Sequence, residues 1–150
     1  ADQISKYLVK TNLGLGESWP ENGLLRLTHG TNSGSAFGLF SDQTPILIVA
    51  SIIAIGFLVY FYKAHMLPSP MLRIAIGLLL GGAIGNLVDR LRSGTVVDFI
   101  DFGWWPIFNL ADSSIVVGMV LLIGLLVLGY GESSSDAIPA SESLRDKFRL

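Results

Sequence analysis

Three long stretches of the chain carry no charged side chain, and they constrain the fold more than any other feature. They are Gln43–Tyr62, Ile74–Val88 and Ser113–Gly131. A helix of about 20 mainly apolar residues crosses the roughly 30 Å hydrocarbon core of a bilayer. A buried helix of a soluble bundle would show a polar face, and the first stretch shows none. We therefore predict a mainly α-helical, polytopic membrane protein with spans at 44–62, 71–90 and 111–130.

Composition excludes several functional classes. Charged residues make up 15% of the chain, against about 25% in soluble domains. The chain has 10 Lys and Arg and 12 Asp and Glu, so its net charge is -2 and it has no excess of basic residues for binding nucleic acid. Cysteine is absent from the sequence, and the two histidines, His29 and His65, lack the spacing of metal ligands. We therefore expect no nucleic-acid partner, no metal and no organic cofactor.

The segments outside the three stretches are polar and follow the membrane boundaries. Residues 11–42 are rich in Gly, Asn, Ser and Thr, which predicts short strands and turns. Residues 1–10 have apolar residues at helical spacing and are expected to be the end of a further span whose start is absent. Residues 132–150 are Ser-rich and charged, as is typical of a mobile tail. Lys and Arg are shared equally between the two sides, so their distribution does not give the orientation.

Ionisable residues next to a span are costly and therefore point to function. Asn86, Asp89 and Arg90 have helical spacing that puts them near one face at the end of the middle span. An ion pair at the helix end is the alternative explanation for Asp89. The glycines of this span at positions 77, 81 and 85, together with position 82, predict close packing against another helix.

Two acidic segments lie beyond the middle span. Asp98 and Asp101 follow a β-branched run, and in an extended strand they point to opposite faces, so we expect one to face water. Asn109 and Asp112 share a helix face at the start of the last span, where Asp112 is alternatively a helix N-cap or first-turn acid. If Asp98 and Asp112 meet, their repulsion keeps one of them protonated, which is the chemistry of aspartic proteolysis.

Five short motifs occur in one order along the chain. They are Asp2-Gln3-Ile4-Ser5-Lys6, Thr31-Asn32-Ser33-Gly34-Ser35-Ala36-Phe37, Gly81-Gly82-Ala83-Ile84-Gly85-Asn86-Leu87-Val88-Asp89-Arg90, Val96-Val97-Asp98-Phe99-Ile100 and Phe108-Asn109-Leu110-Ala111-Asp112-Ser113. With these motifs the chain resembles the bacterial lipoprotein signal peptidases, also called signal peptidase II.

The resemblance implies an integral membrane aspartyl peptidase that removes signal peptides from diacylglyceryl-modified prolipoproteins by cutting before the lipidated cysteine. It implies Asp98 and Asp112 as the catalytic pair. The other polar motif positions are implied to support the site or position the substrate. These are Asp2, Lys6, Asn32, Gly34, Asn86, Arg90 and Asn109.

The resemblance also implies the architecture and the location. A four-helix transmembrane bundle is expected, with the first span largely missing from this sequence and a small β platform at 11–42 on the extracytoplasmic side. Residues 1–131 would form one membrane domain and residues 132–150 a cytoplasmic tail. The expected location is the bacterial cytoplasmic (inner) membrane, with the active site near its extracytoplasmic surface, membrane lipid as neighbour and a monomeric state.

Two other functions remain open from the residues themselves. A non-catalytic membrane protein would bind lipidated peptides in a groove and would not need the carboxylates of Asp98 and Asp112. A proton or ion pathway would use the intramembrane ionisable residues Asp89, Arg90, Asp98 and Asp112 as a relay.

Overall fold

The computed structural model describes residues 1–34, 44–64 and 69–135. Its elements in chain order are α1 (Asp2–Asn12), β1 (Ser18–Trp19), β2 (Arg26–Asn32), α2 (Thr44–Ala64), α3 (Pro70–Ser93), β3 (Val96–Asp101) and α4 (Leu110–Ser135). The chain is thus mainly helical, and its three strands form one small sheet that lies between the helices in sequence.

Three helices among the described residues are long and apolar enough to cross a membrane, as expected for the predicted mainly helical membrane fold. The segments have mean hydropathies of 2.4 for Thr44–Ala64, 1.8 for Pro70–Ser93 and 2.4 for Leu110–Val127. α3 is the least apolar because its last turns carry the polar residues of the motif around Asn86. It begins with Pro70 in its first turn and ends at Gly94, whose φ of 75° is a left-handed conformation suited to glycine.

Small residues bring α3 and α4 into close contact. A Cβ atom added at Gly82 would overlap the Ala111 carbonyl oxygen and lie 2.6 Å from Ile115 Cγ1. The four-residue glycine repeat predicts this contact only in part, because no atom of the described residues lies within 4 Å of a Cβ added at Gly77 or Gly81. α4 crosses α3 at Gly82 and Gly85, so close packing depends on where the partner lies and not on the repeat alone.

Replacing Gly82 by Ala is expected to destabilise the protein by about 1–3 kcal/mol, because the methyl group forces α3 and α4 apart. Gly77→Ala on the same helix is the matched control and should leave stability unchanged or raise it by up to about 1 kcal/mol, because alanine is the better helix former. Thermal unfolding in detergent compares the two variants. Equal stability of both variants would show that the helices are not in contact at Gly82.

The three strands pair antiparallel in the order β1-β2-β3, with β2 in the middle. β3 follows α3 directly, and Asp98 lies opposite Gly30 in the register. This arrangement agrees with the strands and turns predicted for residues 11–42, although α1 continues to Asn12 and residues 35–42 lie outside the described residues. At its other end, Ile100 forms a bridge with Phe108, which returns the chain to the start of α4.

Asp101 differs from the expectation that one acid of β3 faces water. Both Asp98 and Asp101 are buried, at 4% and 5% exposure. Asp101 Oδ2 accepts hydrogen bonds from Arg26 and Thr28, each at 2.7 Å. Burial acts to raise the pKa of Asp101, but the hydrogen bonds from Thr28 and the Gly103 N–H and the charge of Arg26 outweigh it and lower that pKa. The side chains of β2 therefore cover the face that alternation assigned to solvent.

The C-terminal helix is longer than the predicted span. α4 continues to Ser135, so the first residues of the predicted tail are helical. The remainder of that tail, 136–150, lies outside the described residues, as do residues 65–68 of the predicted turn between α2 and α3.

Candidate active site

Asp98 lies in the middle of β3 with both carboxylate oxygens held by amide groups. Asn109 Nδ2 donates to Oδ1 at 2.6 Å, and Asn32 Nδ2 donates to Oδ2 at 3.1 Å. The Asn32 amide is itself oriented by the Gly34 N–H, which donates to Asn32 Oδ1 at 2.8 Å. Gly34 therefore acts on Asp98 indirectly, through the turn that follows β2.

Asp112 lies in the first turn of α4. Its Oδ1 accepts a hydrogen bond from Asn86 Nδ2 at 2.7 Å, and its Oδ2 accepts one from the Asn109 backbone N–H at 3.2 Å. Asn109 Oδ1 in turn accepts the Asp112 backbone N–H at 2.9 Å. This reciprocal pair satisfies two free N–H groups of the helix start. Asp112 is thus the first-turn acid of the alternative explanation and Asn109 is the N-cap, but Asp112 Oδ1 faces Asn86.

Asn109 joins the two carboxylates. It is fully buried, and its Nδ2 donates to Asp98 Oδ1 and to Asn86 Oδ1, the latter at 3.2 Å. Asn109 and Asn86 thus link Asp98 on β3 with Asp112 on α4. The structure therefore brings the two predicted acids into one hydrogen-bonded network.

Burial dominates the electrostatics of Asp98. Desolvation raises its pKa to about 6, although the hydrogen bonds from Asn109 and Asn32 oppose the shift. The negative charge of Asp112 adds to the increase, and the positive charge of Lys6 lowers it. Near neutral pH this carboxyl group is therefore able to hold or release a proton.

A buried ion cluster supports the site from α1. Lys6 Nζ lies 2.9 Å from Asp2 Oδ2, 2.8 Å from Asp89 Oδ2 and 3.0 Å from Asn86 Oδ1. Asp2 Oδ1 accepts the Ala111 N–H at 2.9 Å, so α1 also caps the start of α4. The ion pair of Asp89 agrees with the helix-end alternative, but its partner is a lysine from α1 and not a neighbour on α3.

Arg90 borders both the carboxylate network and a cavity. Its charge interacts with Asp112, Asp98 and Asp89. Its Nε atom is buried and has no hydrogen-bond partner within the described part of the chain. The cavity measures about 560 Å³ and lies between α2, α3 and α4. Asn86, Arg90 and Asp112 line its polar end, and side chains such as Leu47 line its apolar part.

All nine residues predicted for the site are thus connected around Asp98 and Asp112. Seven of them belong to the network of hydrogen bonds and ion pairs, Arg90 acts through its charge, and Gly34 acts through Asn32. Gln3 and Asp89 were not assigned to the site from the sequence. Gln3 Nε2 donates to Asp89 Oδ1 at 2.8 Å and to the Gly85 carbonyl oxygen at 3.1 Å. The available signal for Gln3 was its position directly after Asp2 in the motif Asp2-Gln3-Ile4-Ser5-Lys6.

Comparisons with known proteins agree with this geometry. A family model described as Signal peptidase (SPase) II matches residues 1–128. The lipoprotein signal peptidase of Moorella thermoacetica is 42% identical over 136 residues, which cover 90% of this chain and 91% of that protein. That of Halothermothrix orenii is 45% identical over 124 residues, covering 81% of this chain and 84% of the relative.

Solved structures agree as well. One bacterial membrane enzyme has a TM-score of 0.80 at 34% identity, covering 93% of this chain and 87% of its own. A second has a TM-score of 0.76 at 38% identity, covering 83% of this chain and 84% of its own. The sequence motifs, the membrane-length helices and these matches lead to one conclusion: the chain belongs to the signal peptidase II family.

Proposed function

We propose that this chain is an aspartyl endopeptidase that cleaves diacylglyceryl-modified prolipoproteins immediately before the lipidated cysteine. Membership of the signal peptidase II family makes it a lipoprotein-processing protease. The observation that carries the aspartyl mechanism is the pairing of Asp98 and Asp112 through Asn109 at the edge of a membrane-facing cavity. A lipid-binding protein without catalysis would not need two linked carboxylates there.

The two acids are suited to different roles. Asp112 accepts two N–H groups, lies at the positive end of the α4 dipole and is close to the charge of Arg90, all of which suit a carboxylate. Asp98 is more deeply buried and has the raised pKa. We assign Asp112 as the general base and Asp98 as the general acid.

The reaction then needs no covalent intermediate. Asp112 takes a proton from a water molecule, whose oxygen attacks the carbonyl carbon of the scissile peptide bond, while Asp98 donates its proton to the carbonyl oxygen. The tetrahedral intermediate collapses when the peptide nitrogen receives a proton from Asp112, the C–N bond breaks and one hydroxyl group of the intermediate returns its proton to Asp98. The products are the carboxyl end of the signal peptide and the free amine of the lipidated cysteine.

The cavity suits a lipidated peptide substrate. Its apolar part lies between spanning helices, where acyl chains enter from the bilayer, and its polar end holds Asp112. Arg90 lines this end, where its guanidinium group provides positive charge and N–H donors for a substrate carbonyl group. We place the site at the extracytoplasmic boundary of the bacterial cytoplasmic membrane, in a monomer, with the sheet over that boundary and residues 132–150 on the cytoplasmic side.

Cleavage is expected to slow as the pH rises through about 6, because Asp98 must be protonated to act as the acid and its pKa is about 6. At lower pH the rate also falls, because a second proton on the pair leaves it without a base. The pair therefore gives a bell-shaped pH profile. The apparent pKa values of its acidic and alkaline limbs describe the pair together and not either residue alone. kcat/KM measured in detergent from about pH 4.5 to 8.5 tests this expectation. A rate that kept increasing above neutral pH would contradict the shared-proton mechanism.

The proposal is tested by incubating the protein in liposomes with a diacylglyceryl-modified prolipoprotein and, separately, with the same precursor lacking the lipid. A gel shift of the lipidated substrate alone is the expected result. Binding of the lipidated substrate without cleavage would support the non-catalytic alternative. Proton flux across vesicles that is lost in Asp89→Asn would support the pathway alternative.

A further inference from the structure

The Lys6 ammonium group is enclosed by three oxygen atoms and is 2% exposed. These atoms are Asp2 Oδ2, Asp89 Oδ2 and Asn86 Oδ1, at 2.8–3.0 Å. An ammonium group has three N–H donors and no acceptor. Each of the three N–H donors of Lys6 therefore has one oxygen partner. The NH₂ group of an amide cannot replace such an oxygen, because it is itself a donor.

This requirement fixes the side-chain amide of Asn86. Because Lys6 only donates, Asn86 must direct its carbonyl oxygen towards Lys6, and its NH₂ group then points to Asp112 Oδ1, 2.7 Å away. Asn109 Nδ2 donates to the same Asn86 oxygen at 3.2 Å and reinforces this orientation. If the amide were turned over, its oxygen would face Asp112, and that contact would need a protonated Asp112.

We propose that Lys6 is a positioning residue for the peptidase reaction: by holding the Asn86 amide in one orientation, it keeps Asp112 as the carboxylate and leaves the shared proton on Asp98. This role rests on the proposed function. Lys6 does not line the 560 Å³ cavity, so it acts through Asn86 and not by contact with substrate. Docking of α1 onto α3 thereby determines which acid of the pair acts as the base.

Other charges around Asp112 do not fix the amide. Asp2 of α1 binds the Ala111 N–H, and Asp89 of α3 binds Lys6 and Gln3. Arg90 of α3 and Asp98 of β3 act on Asp112 by charge alone, and α2 has its single charged residue, Lys63, in its last turn, far along the helix from the site. Lys6 is thus the cation within the described residues that contacts the Asn86 oxygen.

Lys6→Met tests this role by releasing the amide. We expect kcat to fall about 100-fold and KM to change less than about threefold, because the protonation of the pair and not substrate binding is affected. We also expect the alkaline limb of the pH profile to move to higher pH, because a turned amide accepts a proton from Asp112. Lys6→Arg, which also only donates, should keep the limb in place. Lys10→Met, an exposed lysine of the same helix, is the matched control.

Two further variants separate this role from a loss of folding. Lys6→Met/Asp89→Asn keeps the net charge of the cluster, so the lost charge of Lys6 does not by itself explain a shift, and its alkaline limb must still move to higher pH. Asn86→Leu leaves the ion pairs of Lys6 in place and must move the alkaline limb in the same direction. Adding Lys6→Met/Asp89→Asn to Asn86→Leu must then have no further effect on the limb.

A limb that stays in place in Asn86→Leu, or a second shift on adding the charge-neutral pair Lys6→Met/Asp89→Asn, would overturn the proposal. These outcomes differ from failure of the proposed function, in which Asp98→Asn and Asp112→Asn would still cleave the substrate.

Discussion

Asp98→Asn and Asp112→Asn are each expected to reduce kcat by about 10⁴-fold or more while leaving the helices intact. Each substitution is close to isosteric and removes either the proton donor or the base of the pair. The residual rate of the double variant should equal that of the single variants, because the two acids act as one unit. Cleavage of a lipidated precursor in detergent provides the measurement.

Asp101→Asn is the matched control for these two variants. Asp101 lies on the same strand as Asp98, is equally buried and pairs with Arg26 outside the network of the site. The Asp101→Asn substitution should lower thermal stability without a comparable loss of kcat. If all three variants lost activity to the same degree, folding and not catalysis would explain the loss.

Asn109→Ala is expected to reduce kcat by about 10³-fold, the second largest effect. The substitution removes the amide that donates to Asp98 and to Asn86 and the oxygen that accepts the Asp112 N–H. The buried partners lose their hydrogen bonds, so the free energy of unfolding should also fall by about 1–3 kcal/mol. Initial rates and thermal unfolding on the same sample separate the two effects.

Asn12→Ala controls for the loss of an asparagine amide. Asn12 is exposed at the end of α1, and its Nδ2 donates to the Leu8 carbonyl oxygen and to Thr11 Oγ1, both on the same helix. The free energy of unfolding of the Asn12→Ala variant should stay within about 0.5 kcal/mol of that of the parent chain. An Asn109→Ala variant with normal activity would mean that Asn109 does not join the two acids.

The membrane architecture could be predicted because its signal is local. A run without charges is sufficient to identify a span, and each predicted run became one helix. Helix ends were less predictable, since the end of α3 depends on the left-handed conformation of Gly94 and the end of α4 lies in a polar segment. The glycine repeat similarly identified a small-residue surface but not the position where α4 crosses it.

Residue types identified the candidate acids, but the contacts around them depend on parts of the chain that are far apart. Lys6 and Asn86 are separated by 80 positions, so no local pattern predicts that one orients the other. Asp101 shows the same limit. Strand alternation correctly placed Asp101 on the opposite face of β3 from Asp98. It could not show that Arg26 and Thr28 cover the face that carries Asp101. The catalytic roles of Asp98 and Asp112 remain predictions.

The central claim is tested most directly by the mass of the cleavage product. The full chain and its Asp98→Asn variant are each incubated in liposomes with one diacylglyceryl-modified prolipoprotein, and the product is analysed by intact-mass spectrometry. The aspartyl mechanism predicts a mature product that begins at the lipidated cysteine with the parent chain and uncleaved substrate with the variant. A product beginning at any other residue, or the same product from Asp98→Asn, would contradict it.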